Sequence, residues 1–563
     1  MSIFSFNKMF IIQSLQSDEM QTGTLLEKHL NEWAQAQKTN FQVITYEVHS
    51  MQEWDIAWNG IYTGIRDMGN IPIIHLEMHG NQSSLGIDGG TKGTISMDEV
   101  FEKVQQANVL SQNNVFLSLA VCMGLNVIRS LRVYQPMPFC GILGSEHPLP
   151  NQELLNNYII FYENFLLTLN LDKAQQALQQ AGIDASKYKL LKPEEIFMNA
   201  FLGYLETYKT DAGIEEKAIK AAQQEGIIFA DDEEKKRFIQ HYRCQLLTTE
   251  NTEYIKALRS FFMFDRYPEI ETRFEVPKDI YEFKEYAGHQ GHEWLLQRRK
   301  MTDEEIKIVS LDILQQVHDF CMKNDIKYSL AYGTLLGAVR HKGFIPWDDD
   351  IDILMLRPDY ERFVKLFNKL SDSTYSVTSY ETDAQFRYAF AKIVNNSTIK
   401  DELGFDKYGI GIDLFPIDKV PNNPNLAYKL FKLHKLYWNL FMLKAMKWDN
   451  NRSLSKNLFL IASKVILFFI PYSVIHKMAY KSVAKYSDLK DDYMLGCLSS
   501  PYGMKDMMPK EIFDSPILLP FEQNQYCCLK EYDRYLSSLY GDYMQLPPEE
   551  KRVTHHAFKT FWK

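Results

Sequence analysis

The sequence is short of several things. It holds only seven cysteines in 563 residues, an odd number with no C-x-x-C pair. A disulfide framework or a cysteine-built zinc site is not expected, and a reducing compartment fits better. There is no excess of positive charge. The formal net charge is -10, which argues against a general nucleic-acid binder. No apolar run reaches the roughly 20 residues of a membrane-spanning helix. The nearest, Leu458 to Ile470, is interrupted by Lys464 and ended by Pro471. Met9 to Ile12 is too short for a secretory signal, and no small-residue cleavage site follows it. Internal repeats and low-complexity segments are also missing. What remains is the expectation of a cytoplasmic globular chain. As a soft prior, its length suggests about three or four units of ordinary domain size.

What is there begins with an alternation of apolar runs and helical spacing. Met9–Gln13, Phe41–Val48 and Ile71–Met78 have strand character, with helical patterns between them. Asn114–Val121 and a run near 138–143 continue the series. This predicts a mainly parallel α/β sheet over residues 1–210. The third strand leads into His79-Gly80 and the fourth into Cys122-Met123-Gly124. Sites in open parallel sheets form beyond the carboxyl ends of strands. A cysteine is a good nucleophile once a neighbouring base promotes its thiolate. A glycine after each residue lets backbone N–H groups approach an oxyanion. Free cysteine on a strand is also an ordinary small core hydrophobe, and His75 on the same strand as His79 reads as buried structure.

The runs Ile73 to Gly80 and Leu119 to Gly124 resemble those of the caspase-like cysteine peptidases, including the CHAT-type branch. Gly141 to Ser145, followed by a helical stretch over 153–169, adds to the likeness. The resemblance implies a caspase-like fold over about 200 residues and a His79–Cys122 peptidase dyad. Because fold does not imply function, a docking module without activity is the other expectation. Residues 211–290 read as a helical connector, with mixed charges and a polar boundary from Asp265 to Gly291.

The third segment, 291–563, carries the densest chemistry. A long amphipathic helix is expected over 302–324, then a short strand over 328–331. Gly333-Thr334 opens a helix through Arg340, and turn glycines at a helix N-terminus make an anion site from backbone N–H groups. Four aspartates then fall within five positions: Asp348, Asp349, Asp350 and Asp352. Such a cluster repels itself unless cations occupy it, and hard divalent ions take carboxylate oxygens while leaving room for phosphate. Read as a strand, Asp350-Ile351-Asp352-Ile353 puts both carboxylates on one face. Asp348 extends that face and Asp349 stands behind it. Asp413, in Gly409 to Pro416, is the candidate ligand from a neighbouring strand. Carboxylates converging in this way can hold two Mg2+ (or Mn2+) ions about 3.5–4 Å apart, an arrangement for in-line displacement at phosphorus. Lys392 is the candidate for neutralising charge on the transferring group.

The stretch Gly333 to Asp352, with Arg357-Pro358-Asp359-Tyr360, Asp413 to Asp418, Tyr540 to Met544 and the tail Arg552 with His555-His556, resembles the LicD family, which includes the fukutin-related proteins. The resemblance covers about 270 residues and implies a nucleotidyltransferase-like mixed-sheet domain. It implies transfer of a phosphorylated alcohol, typically phosphocholine from CDP-choline, onto a cell-surface glycan such as lipopolysaccharide or its lipid-linked precursor. On this reading Asp350, Asp352 and Asp413 match the metal-binding carboxylates, with Gly333, Thr334 and Arg340 on the nucleotide side. His555 and His556 match the tail.

One segment departs from the rest in charge. Residues 426–485 carry ten lysines and one arginine against a single acid, Asp449, with aromatic and aliphatic residues interleaved. Basic amphipathic helices of this kind lie on anionic membrane surfaces. A helical insert packed on the core with a lysine-rich solvent face is the equal alternative. The first reading gives a peripheral location on the inner face of the membrane.

Overall fold

The computed structural model describes residues 5–81, 83–121, 133–145, 150–183, 188–370, 374–383, 386–402, 408–446, 453–552 and 558–563. Cys122, His555 and His556 lie outside them. The chain divides into two compact units. One comprises residues 1–213 and 253–292, the other 214–252 and 293–563.

The first unit is a sheet with helices between its strands. Its elements are β1 (Lys8–Ser14), α1 (Thr22–Ala36), β2 (Gln42–Glu47), α2 (Met51–Met68), β3 (Pro72–Gly80), β4 (Ser84–Gly86), β5 (Thr94–Ser96), α3 (Met97–Leu110), β6 (Phe116–Ala120), β7 (Gly141–Ser145), α4 (Asn151–Thr168), α5 (Leu171–Gln180), β8 (Tyr188–Leu191) and α6 (Pro193–Tyr208). The main sheet runs β2-β1-β3-β6-β7-β8. Every pairing from β2 through β7 is parallel, and β8 joins antiparallel. The mainly parallel α/β sheet expected from the apolar runs is what forms. β1, β3 and β6 are buried along almost their whole length, as strands covered on both faces must be. α2 and α3 begin where serine supplies the cap: Ser50 accepts from the Glu53 N–H, and Ser96 from the Glu99 N–H. Trp54, Trp58, Tyr158, Phe161 and Phe116 fill the core.

Between and beyond come α7 (Asp211–Gln224), α8 (Asp232–Phe261) and α9 (Ile280–His289). The second unit then contributes α10 (Asp303–Lys323), β9 (Ser329–Leu330), α11 (Tyr332–Arg340), β10 (Asp352–Leu356), α12 (Arg357–Leu370), β11 (Tyr375–Thr378), β12 (Ala391–Asn395), β13 (Thr398–Glu402), β14 (Gly411–Pro421), α13 (Pro424–Ala445), α14 (Leu454–Leu467), α15 (Tyr472–Ala484), β15 (Tyr493–Gly496), β16 (Met507–Met508), β17 (Ile517–Phe521), β18 (Asn524–Cys528), α16 (Tyr532–Tyr540) and β19 (Phe558–Trp562). Its sheet runs β11-β12-β14-β10-β9 and is mixed: β10 and β14 are parallel, their other neighbours antiparallel. α10 opens with a reciprocal capping box between Thr302 and Glu305. Its apolar stripe, including Val309, Ile313 and Val317, packs into one core with Ile353, Leu354, Ile412 and Leu414.

A buried ion pair anchors the two central strands at their far ends. The Arg357 guanidinium donates to both oxygens of Asp418, at 2.8 and 2.7 Å. Among the described residues six cysteines are unbridged, all but Cys527 fully buried.

Candidate active site

Three side chains stand in one row across the second sheet. Asp352 is the register partner of Asp413 on the parallel β10–β14 pair, and Asp413 is the partner of Lys392 on β12. Register partners share a face, so the first residue of β10, the third of β14 and the second of β12 meet side by side. The Lys392 ammonium donates to Asp413 Oδ1 at 2.5 Å. Withdrawal from water pushes the Asp352 carboxyl well above the usual range, and Asp413, Asp350 and Asp348 push it further. Asp413 is raised for the same first reason, with Lys392 opposing. Burial would lower Lys392, yet Asp413 beside it holds its pKa above that of an ordinary lysine. Lys392 therefore stays charged.

The remaining aspartates approach along a loop. β10 begins at Asp352, two residues later than the alternation of Asp350 and Asp352 suggests. A turn at Pro346-Trp347 leads into irregular backbone through Ile351. This brings Asp348, Asp349 and Asp350 together, with one carboxylate oxygen from each lying within 4.8 Å of the others. Asp349, which the strand reading sets behind the face, belongs to this group. Bent backbone can gather three consecutive side chains, whereas a strand alternates them.

α11 holds the loop in place. Thr334 is buried, and its hydroxyl accepts the Asp352 N–H at 2.9 Å and donates to the Asp350 carbonyl at 3.4 Å. Gly333 passes so close to Asp348 that a Cβ there would stand 2.6 Å from Oδ2. A side chain there would push that carboxylate aside. Arg340, at the other end of α11, donates to the Tyr543 carbonyl at 2.6 Å. At the first position of α11, Tyr332 takes a positive φ of 44°. Its ring stacks on Tyr502 at 5.6 Å, and its hydroxyl donates to Asp506 at 2.7 Å. Burial pushes the Asp506 carboxyl up to about 7.

Beside the row lies a basic pocket lined by Arg387, Lys392 and Lys400 with Tyr388 and Tyr408. Arg387 and Lys400 were not among the residues singled out from the sequence. Neither sits in a motif, and only the fold brings them together, with Lys400 bridged to Tyr408 just before β14. The oxygen-only donor set suits a hard cation such as Mg2+, and the neighbouring cations suit phosphate.

In the first unit His79 stands half-exposed at the end of β3, with Nε2 2.6 Å from Glu19 Oε1. His75, two turns of the pleat earlier, is fully buried between Glu77 and the Tyr162 hydroxyl, at 2.9 Å each.

Comparison with known proteins finds relatives for the second unit. A family model described as the LicD/FKTN/FKRP nucleotidyltransferase domain matches residues 325–438. A lipopolysaccharide cholinephosphotransferase, LicD, from Haemophilus influenzae is 37% identical over 270 residues, 47% of this chain and 99% of that protein. Uncharacterized proteins from Rickettsia prowazekii and Rickettsia typhi are each 36% identical, over 105 and 99 residues. These matches cover 17% and 16% of this chain, and 38% and 32% of the relatives.

Proposed function

The chain belongs to the LicD family, and on that premise we propose that residues 291–563 form a phosphotransferase that moves phosphocholine from a CDP-linked donor onto a lipopolysaccharide-type glycan or its lipid-linked precursor. The observation that carries this reading is the row Asp352–Asp413–Lys392 beside the grouped Asp348, Asp349 and Asp350. Carboxylates that raise one another's pKa are a site for cations. Asp348, Asp350, Asp352 and Asp413 would hold Mg2+ or Mn2+, which when bound neutralises phosphate oxygens and polarises the phosphorus they carry. The chain's own contribution is order and charge. Thr334 fixes the Asp350–Asp352 backbone, and Gly333 clears the space for Asp348. Lys392, held cationic, presents N–H donors to an anionic phosphoryl oxygen. Arg387 and Lys400 extend that positive wall. The roles of His555 and His556 on the substrate side rest on the family resemblance alone.

A donor panel tests the reading. Purified protein incubated with CDP-choline and other CDP-alcohols should release CMP only with divalent cation present, and mass detection should find the head group on the glycan. Turnover that survives in both Asp350→Ala and Asp352→Ala would remove the site assignment.

For residues 1–210 we propose a caspase-like fold in which His79 serves Cys122. The parallel order of β2-β1-β3-β6-β7 supports it, as does the delivery of His79 from β3 beside β6, which ends at Ala120. A thiol-reactive peptide probe should label Cys122 and spare Cys122→Ala. Absence of labelling would leave the docking-module reading.

A further inference from the structure

α14 is built inside out. Its inward stripe is Asn457, Leu460 and Leu467, so a polar amide is buried where a hydrophobe would be expected. Its outward face holds Leu458, Phe459, Ile461, Val465 and Ile466, all exposed. The apolar face continues around the bend into Phe468 and Phe469, 77% and 82% exposed. A surface helix ordinarily turns polar side chains to water, and contiguous exposed apolar patches mark interaction sites. Phe468 and Phe469 are the most exposed part of this one.

Three observations say what covers the patch. The first is charge. Lys429, Lys432 and Lys435 on α13 are exposed, as are Lys456 on α14, Lys477 and Lys481 on α15, and Lys485 just after it. The whole segment 426–485 is positive by ten charges in a chain that is negative by ten. A second copy of this chain would bring the same positive field against it, whereas an anionic surface would be attracted. The second is length. α14 has 14 residues, about 21 Å at the α-helical rise, too short for a hydrocarbon core of about 30 Å but suited to lying in its boundary. The third is shape. α14 and α15 meet at 81°, which puts the two phenylalanines at a projecting corner.

From this juxtaposition of an outward apolar helix and an aromatic corner, in a segment whose exposed lysines make it strongly positive, we infer that 454–485 is a monotopic membrane-docking element that seats α14 in the headgroup boundary of an anionic bilayer. The lysines meet lipid phosphates while Phe459, Phe468 and Phe469 enter the acyl region. The Lys444 ammonium, bonded to the Leu467 carbonyl at 2.7 Å, ties α13 to the C-terminus of α14 and keeps the corner presented. The inference does not depend on which group the enzyme transfers.

Vesicle flotation of the full chain tests it. Phosphatidylcholine vesicles containing phosphatidylglycerol should carry the protein at low salt, and pure phosphatidylcholine should carry far less. The double variant Phe468→Asp/Phe469→Asp should lower partitioning by about ten-fold or more, and high salt should weaken it further. The variant's circular dichroism and its CMP release from a soluble donor should match the parent, because both side chains stand in solvent. No partitioning into anionic vesicles, or partitioning that the variant leaves unchanged, would overturn the inference. So would a lipid-free oligomer of the parent that the variant converts to monomer, since the face would then belong to a second copy.

Discussion

The first sheet and the aspartate row of the second treat their charged residues in opposite ways. In the first, acid meets base: His75 lies against Glu77 and His79 against Glu19. In the second, acid meets acid: Asp352 is pressed by Asp413, Asp350 and Asp348, with Lys392 as the counter-charge in the row. A paired acid leaves the stability of its fold unburdened. A gathering of like charges subtracts from it until something else arrives. The contrast sets the fully buried His75–Glu77 pair apart from the crowded aspartates around Asp352.

The largest test of this contrast is on activity. Asp352→Ala should reduce CMP release by on the order of 10³-fold, as removal of charge-stabilising groups does, whereas His75→Ala should leave it unchanged. A similar loss in both would erase the distinction. Next in size is the ion pair inside the second sheet. Arg357→Ala leaves Asp418 buried and alone, and should cost about 3–5 kcal/mol in chemical denaturation. His75→Ala in the first sheet opens the Glu77 network and should cost about 1–3 kcal/mol.

A pH series sharpens the comparison further. Asp506 is raised to about 7 in the folded state, so the folded chain holds a proton that the unfolded chain releases near pH 4. Its contribution is greatest below the unfolded pKa and is lost as pH rises toward 7. Asp506→Asn mimics the protonated form, and should gain on the parent by on the order of 1–4 kcal/mol between pH 4 and 7. A constant difference across that range would contradict the assignment. The smallest effect is also the most specific. Asp352→Asn should raise the melting temperature in chelator-treated buffer by a few degrees, about 1 kcal/mol, while removing activity. Stabilisation together with inactivation is the signature of a residue kept for function.

Much of this was legible in the sequence. The parallel sheet of the first unit followed from apolar runs spaced by helical patterns, because strands buried on both faces need continuous hydrophobes. Asp413 was legible as a strand residue between Ile412 and Leu414. The grouping of Asp349 with Asp348 and Asp350 was not, because periodicity describes strands and says nothing of a loop that folds three neighbours together. The convergence of Arg387 and Lys400 with Lys392 was also hidden, since long-range packing joins them and no local spacing announces it. The exposed apolar face of α14 was only half legible. The lysines and phenylalanines are plain in the sequence, but which of them face water depends on the stripe that Asn457, Leu460 and Leu467 bury.

The row Asp352–Asp413–Lys392 also works as a proofreading mark on folding. Each of its members comes from a different strand, and a slip of one residue in any strand would turn that member to the opposite face. If the proposed site holds, a chain that collapses with the right helices and the wrong pairing would have no site, and recovered activity after refolding would certify the register of three strands at once.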